Sequence, residues 1–247
     1  MTPDSLLDLF VEIAAAVRTA VAGIPAERRR DRTARSGQYA LDLVADDVAC
    51  GLLERAGVRI VSEETGVRGR ADAPVTVVVD PVDGSTNCSR DIPYWAISLC
   101  ALDGDGALCG LVVNQATGVR TTATRGGGAY RDGERLHASR VTRIEEAMVY
   151  LTGRPAVFHP WKQWRALGSA ALGLSDVAAG ALDGFLDAGT FHAPWDYLAG
   201  YLACIEAGAV VRDARARPIV TDDVDARRKL VAAGTPELAD AIAVGNV

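Results

Sequence analysis

The sequence predicts an α+β protein layered as helices, sheet, helices, sheet, helices, an αβαβα sandwich. Three observations predict it. Helical patterns open the chain, turn-separated apolar runs fill the stretch from Val75 to Thr124, and from about residue 140 short strand patterns alternate with helical ones. With 247 residues, 49% of them apolar, the chain can bury a core without disulfides, as one large domain or two packed subdomains, read as 1–139 and 140–247.

Taken in order, Leu6, Leu7, Phe10, Ile13, Ala14, Val17 and Val21 recur at helical spacing. Pro25 to Ser36 follows with Arg28, Arg29, Arg30, Arg32 and Arg35, read as a solvated mobile loop, with a basic flap approaching a phosphate as the alternative. A second helix is expected over Leu41–Ala56, stopped by Gly57. Val58–Ser62 is a short strand ending at Glu63-Glu64, and Thr65–Pro74 reads as a loop. Val75–Asp80 is a continuous β-branched run, suited to a strand covered on both faces. Trp95–Leu102, Ala107–Asn114 and Val119–Thr124 are joined by Asp103-Gly104-Asp105-Gly106 and Ala116-Thr117-Gly118, which supply hairpin turns. Gly126–Gly128 lacks the lysine and strand–helix context of a nucleotide loop and reads as a tight turn. Strands are then expected at Ala147–Leu151, Asp183–Asp187 and Leu230–Ala233, with helices over Ser169–Ala181, Trp195–Ala207 and Pro236–Val244.

The formal net charge of −6 argues against a general nucleic-acid binder but not against an anionic substrate, because bound cations can reverse a local field. Five cysteines without a C-x-x-C pair read as reduced thiols in a cytoplasmic protein. Residues 1–21 lack signal-peptide order, and no apolar stretch suggests a membrane span.

The chemistry concentrates in Asp80-Pro81-Val82-Asp83-Gly84-Ser85-Thr86, with Glu63-Glu64 before it and Trp195-Asp196 after it. Carboxylates at strand and helix ends repel one another unless a cation lies between them, and hard divalent ions take such oxygens. Pro81 takes no ladder hydrogen bond, so the turn can aim Asp80, the Val82 carbonyl and Asp83 to one side. Gly84, Ser85 and Thr86 can open a short helix whose free amides face an anion.

S-E-E at 62–64, D-P-V-D-G-S-T at 80–86, R-G-G-G-A at 125–129, G-S-A-A at 168–171 and W-D at 195–196 stand in the order found in the inositol monophosphatase family, which the chain resembles over about residues 5–245. That family belongs with the lithium-sensitive, magnesium-dependent phosphatases that include fructose-1,6-bisphosphatase. The resemblance implies that Glu63, Asp80 and the Val82 carbonyl hold one Mg²⁺, that Asp80, Asp83 and Asp196 hold a second, and that a third leans on Glu63, with Mn²⁺ a possible substitute. It places Ser85 where a water-orienting threonine usually stands and Asp46 as its acid, with Asp47 the adjacent rival. Gly84, Ser85 and Thr86 would contact phosphate, and Gly168, Ser169 and Ala170 would face substrate. The five carboxylates of Glu63, Asp80, Asp83, Asp196 and Asp46 carry −5, which two or three Mg²⁺ (+4 to +6) bring close to neutrality. The family also suggests a homodimer.

Three departures bear on the substrate. Where inositol-specific relatives place a glutamate seven positions before the W-D aspartate, this chain has Gly189, with Asp187 the nearest acid and a candidate substrate contact. The Thr152–Trp164 segment is short, and Ser85 replaces threonine. The expected reaction is hydrolysis of a small polyol or sugar monophosphate, inositol monophosphate first. The alternatives are a nucleotide bisphosphate, a sugar bisphosphate or a specialised-metabolite phosphate, or a non-catalytic regulatory role on the same fold. The D-x-D-G-T mark of haloacid-dehalogenase-like phosphatases is rejected, because two residues rather than one separate the aspartates. His192, four residues before Asp196, reads as a satisfied or solvent-facing loop residue, with substrate contact the alternative. Cys88 reads as inert, and Trp195 as packing that orients Asp196.

Overall fold

Helix α1 (Pro3–Ala22) buries Leu6, Phe10, Ile13, Ala14, Val17 and Val21 along one face, and Thr2 caps it by accepting from the Ser5 amide at 3.2 Å. Helix α2 (Ala40–Arg55) packs beside it in this computed structural model, which describes residues 1–246. Both lie on one face of an eight-stranded sheet. Its order is β2 (Gly66–Gly69), β1 (Arg59–Ser62), β3 (Thr76–Asp83), β4 (Ala96–Asp103), β5 (Gly106–Asn114), β6 (Arg120–Thr124), β7 (Gly128–Arg131) and β8 (Glu134–Arg135). All neighbours are antiparallel except β1 and β3.

A second sheet of five strands runs β10 (Gln163–Arg165), β9 (Met148–Gly153), β11 (Gly184–Ala188), β13 (Leu230–Ala233) and β12 (Val210–Asp213). The change of sheet falls between Arg135 and Met148. Helices α4 (Ala170–Ala178) and α5 (Pro194–Glu206) fill the space between the sheets, and α6 (Pro236–Ala243) covers the outer face of the second. The expected five layers are therefore present.

Strand β3 explains the unbroken valine run. Val77 and Val79 pack toward α1 and α2, while Val78 joins the core around α4 and α5. Alternate side chains of a strand leave on opposite faces, so a strand with helices on both sides is apolar at every position.

Two parts of the sequence reading change. The segment Thr65–Pro74 is not all loop, since Gly66–Gly69 forms β2 against β1. Strands β7, β8, β10 and β12 were also not expected, being two to four residues each, too short for an alternating pattern to register.

The two inter-sheet helices meet at Gly200, where a Cβ would lie 2.6 Å from Leu174 Cβ. Gly200→Ala gains about 1 kcal/mol of helix propensity. Overpacking costs about 1–3 kcal/mol, and a clash this deep belongs at the upper end. We expect net destabilisation of about 1–2 kcal/mol, read as a lower urea midpoint at unchanged m-value.

Candidate active site

Parallel pairing of β1 with β3 sets Ser62 opposite Val79, so the next residue of each strand, Glu63 and Asp80, emerges at the same sheet end. The Glu63 amide donates to Val79 O at 3.3 Å. Beyond Asp80 the pairing with β4 slips. Asp80 faces Ser98 and Asp83 faces Ala96, leaving Pro81 and Val82 opposite Ile97 alone. Proline cannot donate to the ladder, and the resulting bulge re-aims the strand end. The Asp80 carboxylate accepts from the Val82 amide at 2.9 Å. From the other sheet's side comes Asp196, in the first turn of α5, which accepts from the Ala193 amide at 2.8 Å. One carboxylate oxygen from each of Glu63, Asp80 and Asp196 lies within 4.8 Å of the others.

No ordinary interior tolerates such a cluster. Burial raises the Glu63 carboxyl well above its usual range, and Asp196 and Glu64 push it further. Burial does the same to Asp80, followed by Glu63, Asp83 and Asp196. Asp83 is pushed up to about 6 by burial and then by Asp196. A hard divalent cation fits: the donors are all oxygen, anionic and mutually repelling, and they come from three separate elements.

Asp83 stands beside Asp196 with a second task. Its carboxylate accepts from Ser169 Oγ at 2.6 Å, the Ala171 amide at 2.7 Å and the Ala170 amide at 3.3 Å. The expected substrate-facing segment Gly168–Ala170 therefore also moors Asp83 at the start of α4. Its residues line, with Asp83, Asp196, Thr152, Thr190 and His192, a pocket of about 410 Å³.

Gly84 sits at φ 97°, and a Cβ there would meet Gly168 O at 3.0 Å, so glycine is required where the turns before α3 (Ser85–Ser89) and α4 touch. The Ser85 and Thr86 amides find no protein acceptor among the described residues, which leaves them free at the start of α3. Ser85 Oγ donates to Val82 O at 3.0 Å, and Tyr39 Oη donates to Thr86 Oγ1 at 3.3 Å.

The acid beside Ser85 is Asp42, not Asp46 or Asp47. Asp46 is fully buried and taken by a different group: it accepts from Ser62 Oγ, from Thr65 Oγ1 at 2.9 Å and from Cys50 Sγ at 3.2 Å. Asp47 is exposed on the opposite side of α2. Asp42 opens the helix one turn earlier. Its Oδ2 accepts from the Tyr39 amide at 2.8 Å, and its buried Oδ1 has no hydrogen-bond partner. Burial pushes Asp42 up to about 6, offset by the Tyr39 amide and by the neighbouring Ser85 hydroxyl. The Asp42 and Ser85 side chains line one small cavity with Glu63. Asp42 and Asp46 are one turn apart on the same buried face of α2, so spacing alone could not separate them.

Asp187 does not face substrate. It is fully buried, and it accepts from the amides of Gly189 (2.9 Å), Thr190 (2.7 Å) and Phe191 (2.8 Å), which leaves it organising the loop after β11. His192 lies behind Asp196, with Nδ1 3.4 Å from Asp196 Oδ2 and Nε2 3.1 Å from Thr152 Oγ1. Burial alone would lower its pKa, but the hydrogen bond and charge of Asp196 raise it. The arginine segment folds back on itself while staying largely exposed. Ala26–Arg28 forms a 3₁₀ turn, and Arg32–Tyr39 folds back through an Arg32–Tyr39 bridge, with Gly37 at φ 87°. All five cysteines are buried and unpaired, as the sequence suggests.

A layered αβαβα sandwich that gathers buried acids beside free helix amides suits a phosphoric monoester hydrolase. A sequence model described as the inositol monophosphatase family matches residues 10–244, and the chain belongs to that family. It is 36% identical over 230 residues to the fructose-1,6-bisphosphatase/inositol-1-monophosphatase of Archaeoglobus fulgidus, covering 89% of this chain and 88% of that one. It is 35% identical over 169 residues to Nus factor SuhB of Escherichia coli, covering 62% of each. A Pyrococcus horikoshii protein, described as hypothetical with similarities to inositol-1 monophosphatase, shares the fold at a TM-score of 0.90, with 24% identity and 99% of both chains covered. No helix among the described residues is long and apolar enough to cross a membrane.

Proposed function

We propose that this protein is a Mg²⁺-dependent phosphomonoesterase acting on a small polyol or sugar monophosphate, with inositol monophosphate the first substrate to test. One observation carries the reading: ligating oxygens of Glu63, Asp80 and Asp196, from two strand ends and a helix start, converge within 4.8 Å. Asp80 and Glu63, with the Val82 carbonyl, would hold one ion, and Asp80, Asp83 and Asp196 a second. When bound, magnesium supplies positive charge to the phosphoryl group and acidifies water.

The chain's own groups do the rest. Ser85 and Asp42 share a proton-accepting path, so Ser85 can orient a water and pass its proton toward Asp42 Oδ1. The free Ser85 and Thr86 amides receive phosphoryl oxygens. Ser169 and the α4 amides keep Asp83 aimed beside Asp196, and His192 braces Asp196 from behind. The alcohol side of the substrate meets Thr152, Thr190 and backbone, since Asp187 is withheld.

The names of the archaeal relatives support a second substrate, fructose 1,6-bisphosphate, for the same site. Phosphate release from a panel holding both esters, with and without Mg²⁺, separates the two substrates. Turnover that persists in excess chelator defeats the reading itself.

Asp42 and Asp46 make a sharper comparison. Asp42→Asn is expected to lower kcat by about 10²–10⁴-fold while the protein stays folded, as for loss of a proton acceptor. Asp46→Ala strands Ser62, Thr65 and Cys50 donors, and its expected cost is about 1–3 kcal/mol of stability. Kinetics and urea denaturation of the two variants check this assignment; a larger kcat loss in Asp46→Ala at full stability would reverse it.

A further inference from the structure

Strand β9 ends at the pocket beside Asp83 and Asp196. Tyr150 points into the core around α4 and α5, and alternate residues of a strand share a face, so Thr152 leaves β9 on that same side. Parallel pairing sets Asp187 of β11 in register with Thr152. Thr152 Oγ1 lies 3.4 Å from Asp187 Oδ1 and 3.1 Å from His192 Nε2, and the other ring nitrogen, Nδ1, lies 3.4 Å from Asp196 Oδ2. One imidazole ring therefore separates this hydroxyl from Asp196, and Thr152 lines the substrate pocket of about 410 Å³.

A threonine hydroxyl has one proton to donate and two lone pairs to offer. If His192 carries its proton on Nε2, it donates to Thr152, and the hydroxyl proton turns to Asp187 Oδ1. If Nδ1 carries it, Nε2 accepts the hydroxyl proton instead. Either tautomer draws the Thr152 proton away from the pocket and leaves at least one lone pair for a ligand. Both partners are buried, and the amides of Gly189, Thr190 and Phe191 fix Asp187 in place. Gly189 carries no side chain, and a Cβ there would meet nothing within 4 Å, so that turn supplies no rival acceptor. Thr152 is thus held as an acceptor close to the ester end of the pocket.

We propose that Thr152 is a specificity-determining residue that accepts a hydrogen bond from a substrate hydroxyl near the phosphate ester, with His192 and Asp187 as the positioning residues that turn its oxygen to the pocket. The proposal rests on the phosphatase reading above and narrows it. The substrate class is a monophosphate whose alcohol keeps a free hydroxyl beside the esterified carbon. An ester without that hydroxyl leaves the Thr152 oxygen unpaired when it fills the pocket, and the site discriminates against it.

Phosphate release from inositol 1-phosphate and from cyclohexyl phosphate, measured on the full chain with Mg²⁺, tests it. The two esters share a ring and differ in hydroxyls, and the ratio of their kcat/KM values cancels any loss of folded or metal-loaded protein. Thr152→Val is expected to lower the wild-type preference for inositol 1-phosphate about 3–10-fold, the worth of one neutral hydrogen bond. Thr152→Ser should restore it. His192→Leu should slow both esters through Asp196 and lower the ratio at least about twofold, and the double variant should fall no further than Thr152→Val, since both changes act on one hydrogen bond. A Thr152→Val ratio within about twofold of wild type overturns the assignment. An unchanged ratio in His192→Leu, or additive losses in the double variant, overturns the positioning role. Wild type that releases phosphate from neither ester brings down the phosphatase reading, and this proposal with it.

Discussion

Asp80→Asn is expected to abolish turnover and yet stabilise the metal-free protein. Asp80 is fully enclosed between Glu63, Asp83 and Asp196, and its position lets it serve both proposed ions. Losing a shared ligand removes charge stabilisation that acts on the reacting phosphoryl group, so kcat/KM should fall at least ~10³-fold, about 4 kcal/mol of barrier. The same change deletes one of several repelling buried charges. In chelator the variant should melt above wild type, by about 2–4 °C for each kcal/mol of repulsion relieved. Excess Mg²⁺ should reverse the order, because only wild type gains fully from the ion. Thermal melts with and without Mg²⁺ and a phosphate-release assay check both halves. A metal-free variant that melts below wild type would show that Asp80 is held by its hydrogen bonds more than it is strained by its neighbours.

Metal removal is expected to make stability strongly pH-dependent, with a sign opposite to that of ordinary salt-bridged carboxylates. Burial and mutual repulsion hold Glu63, Asp80 and Asp83 above their unfolded values, Asp83 at about 6. Asp42 is also held at about 6, by burial first. Below the unfolded carboxylate range all four are protonated in both states, and no penalty exists. As pH rises through that range, the unfolded chain ionises first, so the folded state loses relative stability until its own groups ionise. In chelator, these groups therefore make the protein progressively less stable from about pH 4 to pH 6 and above. With Mg²⁺ the ionised form is the bound form, and the loss should shrink or vanish. Urea midpoints at pH 5 and pH 8, each with chelator and with Mg²⁺, test this. Equal pH slopes in the two conditions would mean that the acids do not share a cation.

Much of this was legible in the residues. The valine run of β3 had to be covered on both faces, since no one-sided strand is apolar at each position, and α1, α2, α4 and α5 supply the two covers. Glu63 and Asp80 were visible as acids at the ends of apolar strands, and Asp196 as an acid at the start of an apolar helix. The four short strands stayed hidden for lack of length. Asp42 was missed in favour of Asp46 because both fall on the buried face of α2, and a helical period records a face but not a height along it. Asp187 looked available because its captors, the amides of Gly189, Thr190 and Phe191, are backbone groups common to every sequence.

By itself the sequence determined the layered architecture, the family and the candidacy of Glu63, Asp80 and Asp196, because burial pattern and residue chemistry are local properties of the chain. Only the tertiary structure decided which acids meet. The parallel pairing of β1 with β3, the bulge after Asp80 and the docking of the α5 N-terminus bring Glu63, Asp80 and Asp196 together across 133 residues. The folding back of residues 32–39 likewise sets Arg35 against Glu63 and Glu64. Spatial convergence depends on strand register and helix docking, which are fixed by long-range packing and leave no signature in the neighbouring residues.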